Sequence, residues 1–217
     1  MSDLEPGSDP WLALVEEEIL DPDRAIIDPH HHLWRRSGLP AYILEDLWED
    51  TQCGHNIVKT VFMECGAEYR TSGPAHLQVV GETEFVRDLA LASRGQGKAE
   101  IAAIVGHADL DQDEAALREV LHAHEDAGAG FSRGIRHGGA HDPGRNLRWI
   151  NATPHANQFE RKVFRRGVKL LGELGYTFDS WHYHFQNQAF ADLAEAVPET
   201  TIVLDHFGTP CGVGDYA

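Results

Sequence analysis

Two histidines stand at i and i+2 in Asp28-Pro29-His30-His31-His32-Leu33-Trp34, within a chain of 217 residues that carries 14 His. Alternate residues of an extended strand project from one face, so Asp28, His30 and His32 point one way and His31 the other. Two imidazoles so arranged can converge on one divalent ion at Zn–N distances of about 2.0–2.1 Å. A strand that simply ends in adjacent histidines is the plain alternative. His122 and His124 have the same spacing inside a helical pattern. Residues two apart on a helix lie about 200° apart around its axis, so that pair cannot converge; His122 is expected in solvent and His124 packed at a helix end. A second group, Phe178-Asp179-Ser180-Trp181-His182-Tyr183-His184-Phe185-Gln186, puts His182 and His184 on one face if extended, and either could add a third imidazole. A third, Ile202-Val203-Leu204-Asp205-His206-Phe207-Gly208, places His206 on the face of Ile202 and Leu204. A surface position for His182 and a hydrogen-bonded core position for His206 are the alternatives.

These side chains need elements to carry them. Short apolar runs at 25–28, 57–64, 101–106, 131–136, 176–184 and 201–205 read as buried strands. Helix-period segments lie between them at 84–93, 114–127, 159–174 and 189–197, with a shorter one at 42–48. The third stops before Gly175 and the fourth before Pro198, both natural helix terminators. A first helix is expected at 11–20, capped by Ser8 or Asp9 with Pro10 in its first turn. Strand–helix alternation implies a parallel sheet with right-handed crossovers. His30 and His32, Glu64, His107, Arg136 and His137, His182 and His184, and His206 all fall at strand ends, where parallel α/β folds place their chemistry. A ring of strand ends, with no Gly-rich phosphate turn after the first strand, favours a (β/α) barrel over a doubly wound sheet. Six units at about 35 residues each fall short of the eight units and roughly 250 residues of a closed barrel. The expected fold class is therefore α/β, a (β/α)8 TIM barrel, incomplete, with about six of its eight units. Residues 1–24 form the N-terminal helix and lead-in and residues 25–217 the partial barrel. An open six-stranded sheet is the alternative.

The chain has 18 Lys+Arg against 35 Asp+Glu, a formal charge of −17. That balance argues against a nucleic-acid partner, since phosphate contacts need clustered Lys and Arg. No window offers the roughly 18 apolar residues of a membrane span, and the acidic start lacks a signal-peptide h-region. Cys53, Cys65 and Cys211 are odd in number and far apart, against a disulfide framework or a four-cysteine zinc site. A cytoplasmic location is the expectation, with no membrane partner.

The motif order resembles the amidohydrolase superfamily, in its branch of TIM-barrel metal-dependent hydrolases that includes sugar-acid and pyrone-dicarboxylate lactonases. The resemblance runs from about Ala25 to the last residue. It rests on AIIDPHHHLW (25–34), VFMECGAEYR (61–70), VVGETEFV (79–86), IVGHADL (104–110), RGIRH (133–137), WHYHFQ (181–186) and TIVLDHFGTP (201–210). It implies a divalent metal, zinc before manganese, held or surrounded by His30, His32, His184 and His206. The family's strand-8 Asp, which handles the proton of the attacking water, has no match here, and some members of the branch work without a tightly bound metal. The implied reaction is hydrolysis of a lactone or related carboxylic ester by metal-assisted water attack, with His206 and Glu64 as catalytic residues. Glu64 could instead orient a ligand histidine. Arg136 would suit a substrate carboxylate through bidentate hydrogen bonds, and His107, His137 and His182 are further candidate substrate contacts. The implied partner is a small molecule, a carboxylate-bearing lactone; self-association into a homo-oligomer is also open. The rival readings are a non-oxidative metal-dependent decarboxylase on the same scaffold and a non-catalytic truncated fragment.

Overall fold

The structure, a computed structural model, describes residues 8–35, 39–142, 155–212 and 216. Its strands are β1 (Ile26–His31), β2 (Ile57–Met63), β3 (Glu100–His107), β4 (Ser132–Arg136), β5 (Thr177–Ser180) and β6 (Ile202–Leu204). Its α-helices are α1 (Asp9–Leu12), α2 (Leu44–Thr51), α3 (Val80–Ser93), α4 (Glu114–Gly128), α5 (Lys162–Glu173) and α6 (Asn187–Ala196). All six strands are parallel and lie in sequence order, each paired with the next.

This sheet curls. Strand neighbours sit about 4.8 Å apart, so in a flat sheet β1 and β6 would be separated by roughly 24 Å. Instead the rings of His30, on β1, and His206, just after β6, have centroids 4.6 Å apart. The open flat sheet is thereby excluded, and the architecture is an incomplete (β/α)8 barrel.

Alternation along each strand decides what faces the interior. Ile135 and Phe178 pack outward with Leu117, Val120, Phe164, Leu171 and Leu193 of the covering helices. Phe62 and Ile104 pack outward with Leu44, Leu47, Phe85 and Val86, joined by Ile101 across a register shift in the β2–β3 pairing. The neighbours of those strand residues, Arg136 and Asp179 among them, turn inward in register with each other.

Four sequence expectations change. The helix at 11–20 shrinks to α1, Asp9–Leu12; Leu14, Val15 and Leu20 are exposed, the last at 94%. A short amphipathic helix is held mainly by the surface its stripe covers, and little of this stripe is covered. The strand at 176–184 stops at Ser180, and His184–Gln186 form a 3-10 turn. The shared-face argument for His182 and His184 lapses with it. The strand at 201–205 stops at Leu204, and His206 lies beyond it in a left-handed backbone conformation, so it does not share a strand face with Ile202 and Leu204. The helix at 84–93 starts earlier, at Val80. Its first turn fits closely against the loop before it, where a Cβ on Gly81 would lie 2.6 Å from Arg70 N and Glu68 O. Among the described residues no helix is long and apolar enough to cross a membrane.

Candidate functional site

Arg136 ends β4 and is the hub of the strand-end cluster. Its Nε donates to Glu64 Oε1 at 2.8 Å, and its Nη2 donates to the Glu64 carbonyl. Its Nη1 lies 3.4 Å from Asp205 Oδ2 and 3.5 Å from His30 Nε2. All three charged side chains are nearly enclosed, with side-chain exposures of 11% for Arg136, 15% for Glu64 and 3% for Asp205. Glu64 takes Nε and Nη2 while Nη1 faces Asp205 and His30, so no edge of the guanidinium is free to grip a further carboxylate in bidentate fashion. Arg136 is therefore a wall of the site, a correction to the free carboxylate receptor expected from sequence. One guanidinium faces two carboxylates, which leaves the cluster with room for further positive charge. Burial raises the Asp205 carboxyl above its ordinary range, opposed by Arg136, and burial lifts Asp179 to about 6.

Around this hub the structure gathers His30, His32 and His206. The ring centroids of His30 and His32 are 5.0 Å apart, and His30 meets His206 at 4.6 Å. His31 turns to the other side, buried against Phe62. His32 Nδ1 lies 2.8 Å from the Met63 carbonyl. A carbonyl only accepts, so Nδ1 carries the proton and Nε2 keeps its lone pair. Burial, then the charge of Arg136, pushes His30 down to about 3, and burial lowers His32 as well. Both imidazoles are thus neutral at pH 7, as metal ligation requires.

An adjoining cavity of about 450 Å³ is lined by His32, Glu64, Tyr69, His107, Arg136, His137, Trp181 and His206, with Cys65, Gly66 and Gly138 completing the wall. His107 Nδ1 donates to the Arg136 carbonyl at 2.9 Å. His137 Nδ1 accepts from the Leu110 N–H at 3.0 Å, and burial with the neighbouring His107 lowers it to about 4. The end of β3 is held from behind by α4. His124 Nε2 donates to the His107 carbonyl at 2.9 Å, while its Nδ1 meets Thr83 Oγ1 at 2.8 Å. Gly106 allows that approach, since a Cβ there would sit 2.9 Å from His124 Cε1. The helical HxH thus divides as its geometry demands, His122 exposed and His124 in the core.

His182 and His184 are not among the described residues lining this cavity. His182 is fully buried between Phe159 and Phe190, with Nε2 3.0 Å from Asn187 Oδ1, and burial lowers it to about 4. It is a core histidine on the helix-facing side, which corrects the expectation of a substrate contact. His184 packs against Phe185 and Tyr216, and its Nδ1 is buried without a partner. It is not drawn into the trio of His30, His32 and His206.

Several residues of the site escaped the sequence reading. Asp205 sits beside His206 in the segment 202–208, and its acidity at a strand end was the available signal. Tyr69 and Trp181 carry no spacing signal, because loops bring them in. Glu82, on α3, accepts the N–H groups of Cys65 and Ala67 at 3.1 and 2.8 Å through Oε1, while Oε2 is buried without a partner. Burial, with Glu64 nearby, pushes its carboxyl up to about 8.

The donor set suits a divalent cation in its chemistry: clustered imidazoles, one of them oriented by a carbonyl as ligating histidines usually are, beside an excess of carboxylate. Among the described residues no three His, Cys, Asp or Glu side chains already meet at one coordination point. Arg136 Nη1 lies 3.5 Å from His30 Nε2.

The amidohydrolase family model matches residues 27–214. The Sinorhizobium fredii protein y4mH is 29% identical over 210 residues, which cover 86% of this chain and 63% of that protein. Among solved structures, a Burkholderia multivorans amidohydrolase with bound zinc superposes with a TM-score of 0.56 and 21% identity, over 85% of this chain and 58% of the other. Amidohydrolase 2 from Bifidobacterium longum subsp. infantis gives 0.53 and 18%, over 88% and 65%. The chain spans about three-fifths of the length of these relatives.

Proposed function

Because the chain belongs to the amidohydrolase family, we propose that its site serves hydrolysis of a lactone or related carboxylic ester by a water molecule, with a divalent metal, zinc first, at His30, His32 and His206. The observation that carries this reading is the clustering of those three imidazoles beside Glu64 and Asp205. The zinc bound by the Burkholderia relative supports the choice of metal. When bound, such an ion acts as a Lewis acid and lowers the pKa of a coordinated water from about 15.7 to about 7.

The chain's own residues do the rest. Met63 fixes the ring of His32. Glu64 and Asp205 hold Arg136 at the cavity wall, so that its charge faces the reacting groups. His206, which lines the cavity, would contact both substrate and ion. His107 and His137 line the wall that a lactone ring would occupy.

The test is zinc content by elemental analysis, with hydrolysis of dihydrocoumarin followed for the 217-residue chain and for His30→Ala and His122→Ala. Loss of zinc in His30→Ala alone, with ring opening by the parent chain, supports the reading. Equal zinc loss in both variants, or CO2 release from aromatic acids without ring opening, overturns it.

A further inference from the structure

His107 and His137 share one wall of the cavity, with ring centroids 5.6 Å apart, yet their backbone partners impose opposite protonation patterns. The Arg136 carbonyl can only accept, so His107 carries its proton on Nδ1 and leaves a lone pair on Nε2. The Leu110 N–H can only donate, so His137 Nδ1 must hold a lone pair and its proton resides on Nε2. Among the described residues neither Nε2 has a hydrogen-bond partner, and neither is an enclosed orphan. Each is left open on residues that line the cavity.

We propose that these two histidines form a donor–acceptor pair acting directly on the substrate, His137 Nε2–H as hydrogen-bond donor to the scissile carbonyl oxygen and His107 Nε2 as proton acceptor. This rests on the ester-hydrolysis reading above and assigns it two catalytic residues. The oxygen of the attacking water bonds to the acyl carbon as His107 Nε2 takes one of its protons. The carbonyl π pair moves onto oxygen, where it receives the His137 N–H. Collapse of the adduct breaks the bond to the leaving alkoxide, which recovers the proton from His107. A neutral imidazole is the better fit for His137, because a second N–H at Nδ1 would oppose the Leu110 N–H. The groups facing His137 are His107 and Asp109, whose Oδ1 is 3.9 Å from Nδ1, with Asp111 and Glu64 farther off. The strut from Thr83 through His124 to the His107 carbonyl keeps the pair in place.

Nitrogen-15 NMR of imidazole-labelled protein tests the pair without any turnover, signals being assigned by their loss in His107→Gln and His137→Gln. A pyridine-type His107 Nε2 and a pyrrole-type His137 Nε2 are expected. Both should shift on addition of δ-valerolactam, whose cis amide offers a carbonyl to one and an N–H to the other. With dihydrocoumarin as substrate, His137→Ala and His107→Ala should each lower kcat about 100-fold, with KM changed less, as for removal of one oxyanion donor or one general base. His137→Gln, which keeps an N–H, should recover part of the loss. Reversed protonation patterns, or no response of either nitrogen to the lactam, overturn the pair. The expected patterns and lactam response without dihydrocoumarin hydrolysis would instead overturn the lactone reading and leave the pair standing.

Discussion

Glu82→Gln separates the charge of a buried carboxyl from its shape. In the folded protein Glu82 holds its proton up to about 8, whereas the ordinary value is 4.5. Between those values the unfolded chain has released the proton and the folded one has kept it. The unfolded state therefore binds fewer protons, and stability falls as pH rises across this window, levelling off above it. At 1.36 kcal/mol per pKa unit, the gap between 4.5 and about 8 amounts to about 5 kcal/mol. Glutamine keeps an oxygen for the Cys65 and Ala67 N–H groups and leaves an uncharged group where Oε2 is buried without a partner. Relative to the parent, the variant should be near-neutral at pH 4.5 and more stable by about 3 kcal/mol at pH 7 and about 5 kcal/mol at pH 9. Urea unfolding of both proteins across that range measures the difference, in which the other carboxylates cancel. A difference that stays flat with pH would refute the assignment of Glu82 as a proton-holding buried acid.

Arg136→Met should destabilise the chain by about 3–5 kcal/mol at neutral pH, because it strands Glu64 and Asp205 as enclosed carboxylates; a loss below about 1 kcal/mol by urea unfolding would deny that the three act as one buried cluster. Gly106→Ala should cost about 1–3 kcal/mol from the 2.9 Å contact with His124, which has little room to retreat, and thermal unfolding with an unchanged midpoint would contradict it. Among the described residues β1 pairs only with β2 and β6 only with β5, while Ile27, Val203, Leu204 and Phe207 are exposed. Open edges beside apolar surface recruit other chains, so light scattering should show concentration-dependent association of the 217-residue chain, reduced by Ile27→Lys; a monomer at all concentrations would refute this.

Much of the architecture was legible because it is written in short-range periodicity. Strand–helix alternation, the shared face of His30 and His32 with His31 opposed, and the failure of His122 and His124 to pair follow from repeats of 2 and 3.6 residues. The collection of histidines and acids at strand ends, and the count of six units, needed no tertiary information. The division of labour within that collection did. Arg136 is committed to Glu64 and Asp205, which lie 72 and 69 residues away in the chain, and no local pattern announces such partners. His182 entered the core and His184 a 3-10 turn because β5 ends at Ser180, after which strand alternation no longer sets direction. The amphipathic stripe at 11–20 promised a helix, but helical stability came only where a face found a partner. The protonation patterns of His32, His107 and His137 are set by a carbonyl or an N–H from another segment. Such groups belong to every residue alike, so only their placement in space could assign them.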